Sequence, residues 1–234
     1  MQTMTALNIS PDSFWAPSRI TAGNALERIS RLLASGTDII DLGAVSTRPG
    51  ADPVSPEEEW DRLYSVLAQL HIPGLKLSVD TTRSAIVRRV YDLFGPFMVN
   101  DISAGEDDPQ MLSTVAELGL SYVAMHKRGT PKTMDSLCDY PEGVTQAVKD
   151  YFSEFSVKAE EAGVKDWILD PGFGFAKTDA QNMELLDRLS ELKCFGRPVL
   201  VGIADKRFTR GRTAELQELA VRNGADILRV HPSF

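Results

Sequence analysis

Charged and amide side chains recur directly after short apolar runs in this chain of 234 residues. The clearest case is Asp170, which follows Trp167-Ile168-Leu169 and precedes Pro171-Gly172-Phe173-Gly174-Phe175. An acidic residue that closes a buried strand before a turn of small residues presents a carboxylate beside accessible backbone, which suits a ligand site. A plain strand-to-helix turn, in which Asp170 accepts only local N–H groups, would have the same sequence. The ends of the other apolar runs are therefore needed to choose between the two interpretations.

The residues at those ends form two chemical groups. Acceptors, an amide and a cationic donor suit a flat, nitrogen-rich heterocycle, and this group comprises Asp80, Asn100, Asp170 and Lys206. Donors and positive charge suit a phosphate or diphosphate, and this group comprises Asn8, Thr47, Arg48, Arg229 and His231. One such aspartate is often only a cap, and one histidine is often a packing residue. Polar groups after every apolar run favour one bipartite site instead.

The elements that would position these side chains follow from the hydrophobic period. Short apolar runs predict strands at residues 5–9, 38–42, 75–79, 97–100, 122–125, 167–169, 199–203 and 227–230. Longer amphipathic segments predict helices at 23–34, 56–70, 83–93, 110–118, 142–162, 181–192 and 213–222. Ser55-Pro56-Glu57-Glu58 is typical of a helix start. Gly36, Gly119, Gly163 and Gly224 each follow a predicted helix and are expected to adopt left-handed conformations.

Strands that alternate with crossover helices predict a parallel sheet of the α/β class. Eight of them in 234 residues favour one closed domain, a (β/α)8 TIM barrel that occupies residues 1–234. Only His231-Pro232-Ser233-Phe234 follow the last predicted strand, so we expect a barrel that is truncated or lacks its final helix. The uncovered wall would either favour a partner subunit, as in a homodimer, or lower the stability of the barrel.

Composition excludes several classes of partner. The formal net charge of −8 argues against nucleic acid, which normally requires a basic face. No apolar run approaches the roughly 18 residues of a membrane span, and Met1-Gln2-Thr3-Met4 does not resemble a leader, so a cytoplasmic protein is expected. Cys138 and Cys194 lack metal or redox spacing and predict reduced, packed thiols. Lys206, Arg207, Arg210 and Arg212 form either a positive patch at a site or a solvated surface run.

Six motifs in this chain together resemble the dihydropteroate synthases. They occur in the order and at about the spacing of that family, between residues 5 and 231. The motifs are Asn8-Ile9-Ser10-Pro11-Asp12-Ser13-Phe14, Ser46-Thr47-Arg48-Pro49-Gly50, Ser78-Val79-Asp80-Thr81, Asn100-Asp101-Ile102, Asp170-Pro171-Gly172-Phe173-Gly174-Phe175 and Arg229-Val230-His231. The resemblance implies an enzyme of folate synthesis that joins 6-hydroxymethyl-7,8-dihydropterin diphosphate to p-aminobenzoate and releases pyrophosphate. It also implies Mg²⁺ as cofactor and sulfonamides as inhibitors that compete with p-aminobenzoate.

The resemblance assigns roles position by position. The pterin would contact Asp80, Asn100, Met125, Asp170, Phe175 and Lys206. The diphosphate would contact Asn8, Thr47, Arg48, Arg229 and His231, with Asn8 beside the magnesium ion. Arg48, Lys206, Arg229 and His231 would be the catalytic residues, since charge develops on the leaving diphosphate. Positioning and electrostatic stabilisation would suffice, and no protein nucleophile is required.

Three segments depart from the family pattern in residue type, and the segment 208–212 is shorter than in the family. Trp15-Ala16-Pro17-Ser18 replaces Ser-Asp-Gly-Gly, Val45 replaces a glutamate, and Ala204-Asp205-Lys206-Arg207 replaces Ser-Arg-Lys-Ser. These changes lie on the aminobenzoate and loop side of the predicted site, so a pterin-binding paralogue with reduced or lost coupling activity is an alternative. A methyltetrahydrofolate-binding methyltransferase barrel is another, although Thr47-Arg48 and Arg229-Val230-His231 favour a diphosphate.

Overall fold

Eight parallel strands alternate with seven α-helices in the part of the chain that the structure, a computed structural model, describes: residues 1–9, 20–45, 53–130, 133–204 and 206–232. The strands are β1 (Gln2–Asn8), β2 (Ile39–Gly43), β3 (Leu77–Asp80), β4 (Met98–Asp101), β5 (Ser121–Met125), β6 (Trp167–Asp170), β7 (Leu200–Val201) and β8 (Ile227–Val230). The helices are α1 (Ala25–Ala34), α2 (Pro56–Leu67), α3 (Ser84–Phe94), α4 (Met111–Leu118), α5 (Val144–Ala162), α6 (Asp179–Asp187) and α7 (Thr213–Arg222). Short 3-10 helices cover Met134–Ser136, Leu189–Phe195 and Arg207–Thr209.

The strands close into a barrel. Parallel pairing runs in the order β6-β5-β4-β3-β2-β1-β8-β7. A parallel bridge from Leu169 to Val199 joins the two ends, and the Leu169 N–H donates to the Pro198 carbonyl at 2.9 Å. The predicted (β/α)8 barrel is therefore confirmed. After β8 the structure describes residues 231 and 232, and neither of these is helical.

Most predicted bounds shift by one to three residues, and two elements differ for a local structural reason. The predicted helix 181–192 begins earlier, at Asp179, because Thr178 and Gln181 form a reciprocal capping box. It also ends earlier, at Asp187, and continues as the 3-10 helix Leu189–Phe195. The strand predicted at 199–203 is confined to Leu200–Val201, since Gly202 already lies at the cavity formed by the strand ends. The four glycines predicted to follow helices have φ between 63° and 105°.

The barrel interior changes from apolar to polar along four of its strands, β2, β4, β6 and β8. An apolar cluster fills its lower part: Met4, Ile39, Val123, Ile168, Leu200 and Ile227, with Met98 packed against them. Alternate residues of a strand point the same way, so the residues two positions further on also face inward. These are Ala6, Asp41, Asn100, Met125, Asp170, Gly202 and Arg229. The sequence thereby places a packed floor beneath a polar mouth at the carboxyl ends of the strands.

The basic run from Lys206 to Arg212 divides between the surface and the cavity. Arg207 and Arg210 have side-chain exposures of 79% and 76% and both pair with Asp179, which supports the solvated-run interpretation for these two residues. Lys206 instead lines the cavity at the barrel mouth.

The prediction of packed thiols is wrong for Cys194, which is exposed on the 3-10 helix Leu189–Phe195, whereas Cys138 is half-buried. Within the described ranges, no helix combines the length and hydropathy needed to cross a bilayer.

Candidate active site

The mouth of the barrel brings together most of the residues that the sequence singled out. One cavity at the carboxyl ends of the strands is lined by Asp80, Asn100, Met125, Asp170, Phe175, Lys206, Arg229 and His231, with small and apolar neighbours between them. Asn8 ends β1 beside Gly43 of β2. Thr47 and Arg48 lie outside the described residues. The placement is that expected for a shared site, and the role of each residue stays a prediction.

A buried ion-pair network forms the base of this mouth. Arg229 on β8 donates from Nε to Asp41 Oδ2 at 2.7 Å and from Nη2 to Asp80 Oδ2 at 3.0 Å. Asn100 Nδ2 donates to Asp41 Oδ2 at 3.1 Å, and Ser78 Oγ donates to Asp41 Oδ1 at 2.7 Å. Asp80, which the sequence predicts to contact a heterocycle, is therefore bonded to Arg229, which it predicts to contact a phosphate. The site is one continuous polar network.

Asp41, unlike Asp80, Asn100 and Arg229, has no role predicted from the sequence. Its side chain is fully buried in the interior of β2, within Ile39-Ile40-Asp41-Leu42. A charged residue inside an apolar strand is a usable signal, because an aspartate is almost never fully buried unless it is paired. Asp41 thus positions both the guanidinium of Arg229 and the amide of Asn100.

The carboxylates of the mouth are tuned by burial. Burial raises the pKa of Asp80 to about 7; the Arg229 guanidinium opposes this shift, and the neighbouring charge of Asp41 adds to it. Burial likewise raises the pKa of Asp170, against the lowering effects of the Gly172 N–H and of Arg229 and Lys206. The pKa of Arg229 lies above its ordinary value because the carboxylates of Asp41 and Asp80 outweigh its burial. Asp80 therefore changes charge near neutral pH while Arg229 stays cationic.

The turn after β6 closes one side of the cavity. Asp170 Oδ1 accepts from the Gly172 N–H at 2.8 Å, so the local turn role considered for this residue is real. Asp170 also lines the cavity, and its side of the mouth is completed by Phe175, whose ring lies 4.6 Å from Lys206 Nζ. Asp170 thus shapes the turn and faces the cavity at the same time.

Oxygen atoms of β1 and β3 lie near Gly43 of β2. A Cβ placed on Gly43 would lie 3.6 Å from Asn8 Oδ1 and 3.8 Å from Asp80 Oδ2, which are ordinary van der Waals distances. An amide oxygen and a carboxylate oxygen are donors that Mg²⁺ prefers. Among the residues with described placement, no cluster of three or more His, Cys, Asp or Glu side chains could hold a metal ion by itself. This donor set fits an ion that is shared with substrate phosphates.

A larger cavity of about 420 Å³ lies outside the barrel mouth, between the segment after β5 and α5. His126, Arg128, Tyr140 and Tyr151 are among its lining residues, and none of the predicted site residues is. Arg128 stacks on Tyr140 there, with the guanidinium carbon 4.0 Å from the ring centre. Size alone therefore does not identify the active site, whose residues converge on the smaller cavity.

Comparison with known proteins identifies the family. The family described as "Pterin binding enzyme" matches residues 4–231. A dihydropteroate synthase from Synechocystis sp. is 37% identical over 245 residues, which cover 97% of this chain and 84% of the relative. The chain belongs to the dihydropteroate synthase family. The resemblance seen in the six motifs is thereby confirmed.

Two further similarities extend this result within the dihydropteroate synthase family. A crystal structure of the Yersinia pestis dihydropteroate synthase with a sulfonamide drug complex has a TM-score of 0.88 and 34% identity, and the match covers 99% of this chain and 88% of that one. The "Folic acid synthesis protein fol1" of Pneumocystis carinii is 37% identical over 251 residues. The chain spans 34% of the length of that relative, although the match covers 99% of the chain itself.

The departures from the dihydropteroate synthase pattern fall in different places. Trp15 to Ser18 and Asp205 lie outside the described residues. Val45 is half-buried just beyond β2, and Ala204 lines the cavity in place of the serine usual for the family. Lys206 is retained on the cavity wall. The changes visible in the structure thus leave the network of Asp41, Asp80 and Arg229 complete.

Gly172, in the turn after β6, lies in close contact with the backbone of His126. Its φ is +70°, and an added Cβ would lie 2.0 Å from the carbonyl oxygen of His126. We expect Gly172→Ala to lower the free energy of unfolding by about 3 kcal/mol, because backbone must move. Thermal unfolding followed by circular dichroism should show a fall in Tm of about 6 to 12 °C.

Gly196→Ala is the matched control for this change. Gly196 also has a positive φ, +63°, but nothing lies within 4 Å of its added Cβ. Its substitution carries only the left-handed backbone strain, about 1 kcal/mol. Equal changes in Tm for the two variants would show that the close contact between Gly172 and His126 contributes nothing.

Proposed function

We propose that the protein condenses 6-hydroxymethyl-7,8-dihydropterin diphosphate with p-aminobenzoate to give 7,8-dihydropteroate and pyrophosphate, as a transferase of folate synthesis. The observation that carries the proposal is the convergence of Asn100, Asp170, Lys206, Arg229 and His231 on one cavity in a chain of the dihydropteroate synthase family. Residues 1–234 act as a single barrel domain in this proposal.

The pterin occupies the side of the cavity formed by β4, β5 and β6. Its N–H groups donate to the carboxylate of Asp170, and Asn100 and Lys206 supply further polar contacts. Met125 and Phe175 cover the ring faces. Asp80 completes the pterin contacts from β3, where its bond to Arg229 fixes its orientation. A buried carboxylate rejects heterocycles without matching donors, because an unpaired buried charge is costly.

The diphosphate occupies the side formed by β8 and β1. The bond between the pterin methylene carbon and the diphosphate oxygen breaks, and its electron pair leaves with the diphosphate. Arg229 and His231 stabilise the charge that accumulates there, and Thr47 and Arg48 are proposed to add to this stabilisation. The p-aminobenzoate nitrogen then bonds to the methylene carbon and loses a proton to solvent. Asp80 and Asp170 favour the cationic character of the carbon between these two events.

The magnesium ion is proposed to bind at Asn8 Oδ1, which lies with Asp80 Oδ2 close to Gly43. A bound Mg²⁺ would neutralise charge on the leaving diphosphate. Asn8, Arg229 and His231 would meanwhile orient the diphosphate so that its bridging oxygen points away from the incoming nitrogen.

Sulfonamides compete with p-aminobenzoate in this proposal, and the Yersinia pestis relative has been crystallised with such a drug. A homodimer and a cytoplasmic location stay predictions. The pterin-binding paralogue is the second candidate, favoured by Ala204 in place of a serine on the cavity wall.

Growth of a strain that cannot make dihydropteroate tests the proposal. The gene for this protein is expected to restore growth without added folate products. Lys206→Ala should abolish rescue, because losing a cationic donor from the cavity lowers kcat/KM by about 100-fold. Arg207→Ala is the matched control, since the neighbouring side chain is 79% exposed and pairs with Asp179 on the surface. Equal growth with both variants would contradict the role of Lys206, and no growth with the parent chain would contradict the proposed activity.

A further inference from the structure

Lys177 is a buried cation that has no role in the mechanism above. It follows the turn after β6 by two residues, and only 4% of its surface is exposed. Its Nζ lies 2.9 Å from the Gly172 carbonyl oxygen, 3.1 Å from that of Phe175 and 3.0 Å from His126 Nδ1. A lysine is almost never this buried without specific partners. These contacts therefore call for an explanation beyond packing.

The donors and acceptors at Lys177 match in number. An ammonium group has three N–H donors, and three acceptors lie within hydrogen-bond distance. Burial lowers the pKa of His126 well below its ordinary value, so its ring is neutral and Nδ1 is able to accept. Lys177 thereby connects both ends of the turn from Gly172 to Phe175 with the residue that follows β5.

The buried ammonium group of Lys177 lowers the free energy of unfolding, which an apolar side chain would not do. Burial lowers the pKa of Lys177 to about 7, and the nearby carboxylate of Asp170 limits the shift. An amine whose pKa is lower in the folded protein than in the unfolded chain destabilises the fold at pH values below the unfolded pKa. The reason is that the charged form is harder to bury than to expose. An apolar side chain at this position would avoid that cost. A costly buried lysine beside a cavity is a candidate for a functional role.

The turn that Lys177 holds carries residues of the proposed pterin site. Gly172 lies against the backbone of His126, and a Cβ on Gly174 would come within 3.1 Å of the Lys206 side chain. Phe175 in turn faces the Lys206 ammonium. Asn182 of α6 adds a second connection, since its Oδ1 accepts from the Gly174 N–H at 2.8 Å and its Nδ2 donates to the Lys177 carbonyl at 3.2 Å.

We propose that Lys177 is a positioning residue which, through its bonds to Gly172, Phe175 and His126, holds the turn after β6 in its pterin-binding conformation before substrate arrives. The inference rests on the proposed function, since the ligand concerned is the pterin. If these bonds are lost, a smaller fraction of the molecules has the turn in its binding-competent conformation, and the apparent Kd rises by the same factor. A fall to about one tenth would raise the Kd about 10-fold.

Lys177→Met tests this inference, with binding of the pterin diphosphate measured by calorimetry and both KM values measured by steady-state kinetics. We expect the Kd and KM for the pterin to rise about 10-fold, whereas kcat and the KM for p-aminobenzoate change less than about threefold. Thr178→Ala is the control for general destabilisation, because it removes the cap of α6 that accepts from the Gln181 N–H and leaves the bonds of the Lys177 ammonium intact. This control should lower Tm and leave pterin affinity unchanged.

Lys177→Gln covers the case in which the methionine variant does not fold. Its amide keeps two donors, so an intermediate pterin affinity is expected. Wild-type affinity in a folded Lys177→Met or Lys177→Gln variant would overturn the positioning role, and so would an equal loss of affinity in Thr178→Ala. Absence of pterin binding by the unmodified protein is a separate result, which would overturn the proposed function first.

Discussion

Asp170→Asn is expected to reduce pterin affinity by about 100-fold or more, because a buried acceptor for substrate N–H groups is replaced by an amide that presents donors. The substitution preserves shape, and the amide oxygen is able to keep the bond from the Gly172 N–H, 2.8 Å long in the parent protein. The turn should therefore survive, and the loss should appear in binding and not in folding. Calorimetric titration with the pterin diphosphate measures the first effect, and thermal unfolding measures the second.

Asp166→Asn is the matched control for this prediction. Asp166 directly precedes β6, at the opposite end of the strand from the cavity, and accepts from Ser121 Oγ on the surface. The same change of functional group there should leave pterin affinity within about twofold. An Asp170→Asn variant that binds as tightly as this control would show that the carboxylate does not contact the pterin.

Arg229→Met is expected to have the largest effect on stability. It removes the guanidinium that pairs with both Asp41 and Asp80, and Asp41 is fully buried. Breaking a buried ion pair by removing one partner costs about 3 to 5 kcal/mol. For a chain of this length, a fall in Tm of about 10 °C should follow. Turnover should fall about 100-fold as well, since a cationic group at the diphosphate side is lost.

A second substitution separates the two effects of Arg229. Asp41→Asn in the Arg229→Met background removes the buried charge that has lost its partner, so most of the lost stability should return while turnover stays low. Arg222→Met is the control, because Arg222 is an exposed residue of α7 that pairs with Glu218 only at 3.9 Å. Full recovery of turnover in the double variant would contradict a direct role for Arg229 in the reaction.

The Arg229→Met variant should also lose stability as pH rises. Burial holds the pKa of Asp80 at about 7 in the folded protein, and Arg229 opposes that shift. A carboxyl group whose pKa is raised by folding stabilises the fold at low pH, and this contribution is lost between the unfolded pKa and the folded pKa. Without Arg229 the folded pKa rises further. The difference in Tm from the parent protein should therefore be larger at pH 8 than at pH 5, and the opposite trend would contradict this account of Asp80.

Much of the fold could be predicted because the governing signals are local. Short apolar runs, longer amphipathic segments and the capping residues between them predict the eight strands and seven helices of the described residues to within a few positions. The position of polar residues at the ends of the apolar runs predicts which of them face a common cavity. Thr178 and Gln181 form a capping box that the prediction did not use, and it explains why α6 starts before its predicted position.

The polar network could not be predicted in the same way, because it depends on closure of the barrel. Arg229 and Asp41 are 188 positions apart in the chain, and their pairing follows only once β8 lies beside β1 and β1 beside β2. Lys177 gave no signal either. A lysine beyond a glycine-rich turn is normally solvated, and its burial is decided by the turn and by His126 together.

Product formation by the purified protein tests the central claim most directly. The protein is incubated with the pterin diphosphate, Mg²⁺ and p-aminobenzoate labelled with ¹⁵N at its amino group, and the products are examined by mass spectrometry. The proposed reaction gives 7,8-dihydropteroate that carries the label, together with an equal amount of pyrophosphate. Tight binding of the pterin without labelled product would contradict the proposed reaction and favour a pterin-binding paralogue.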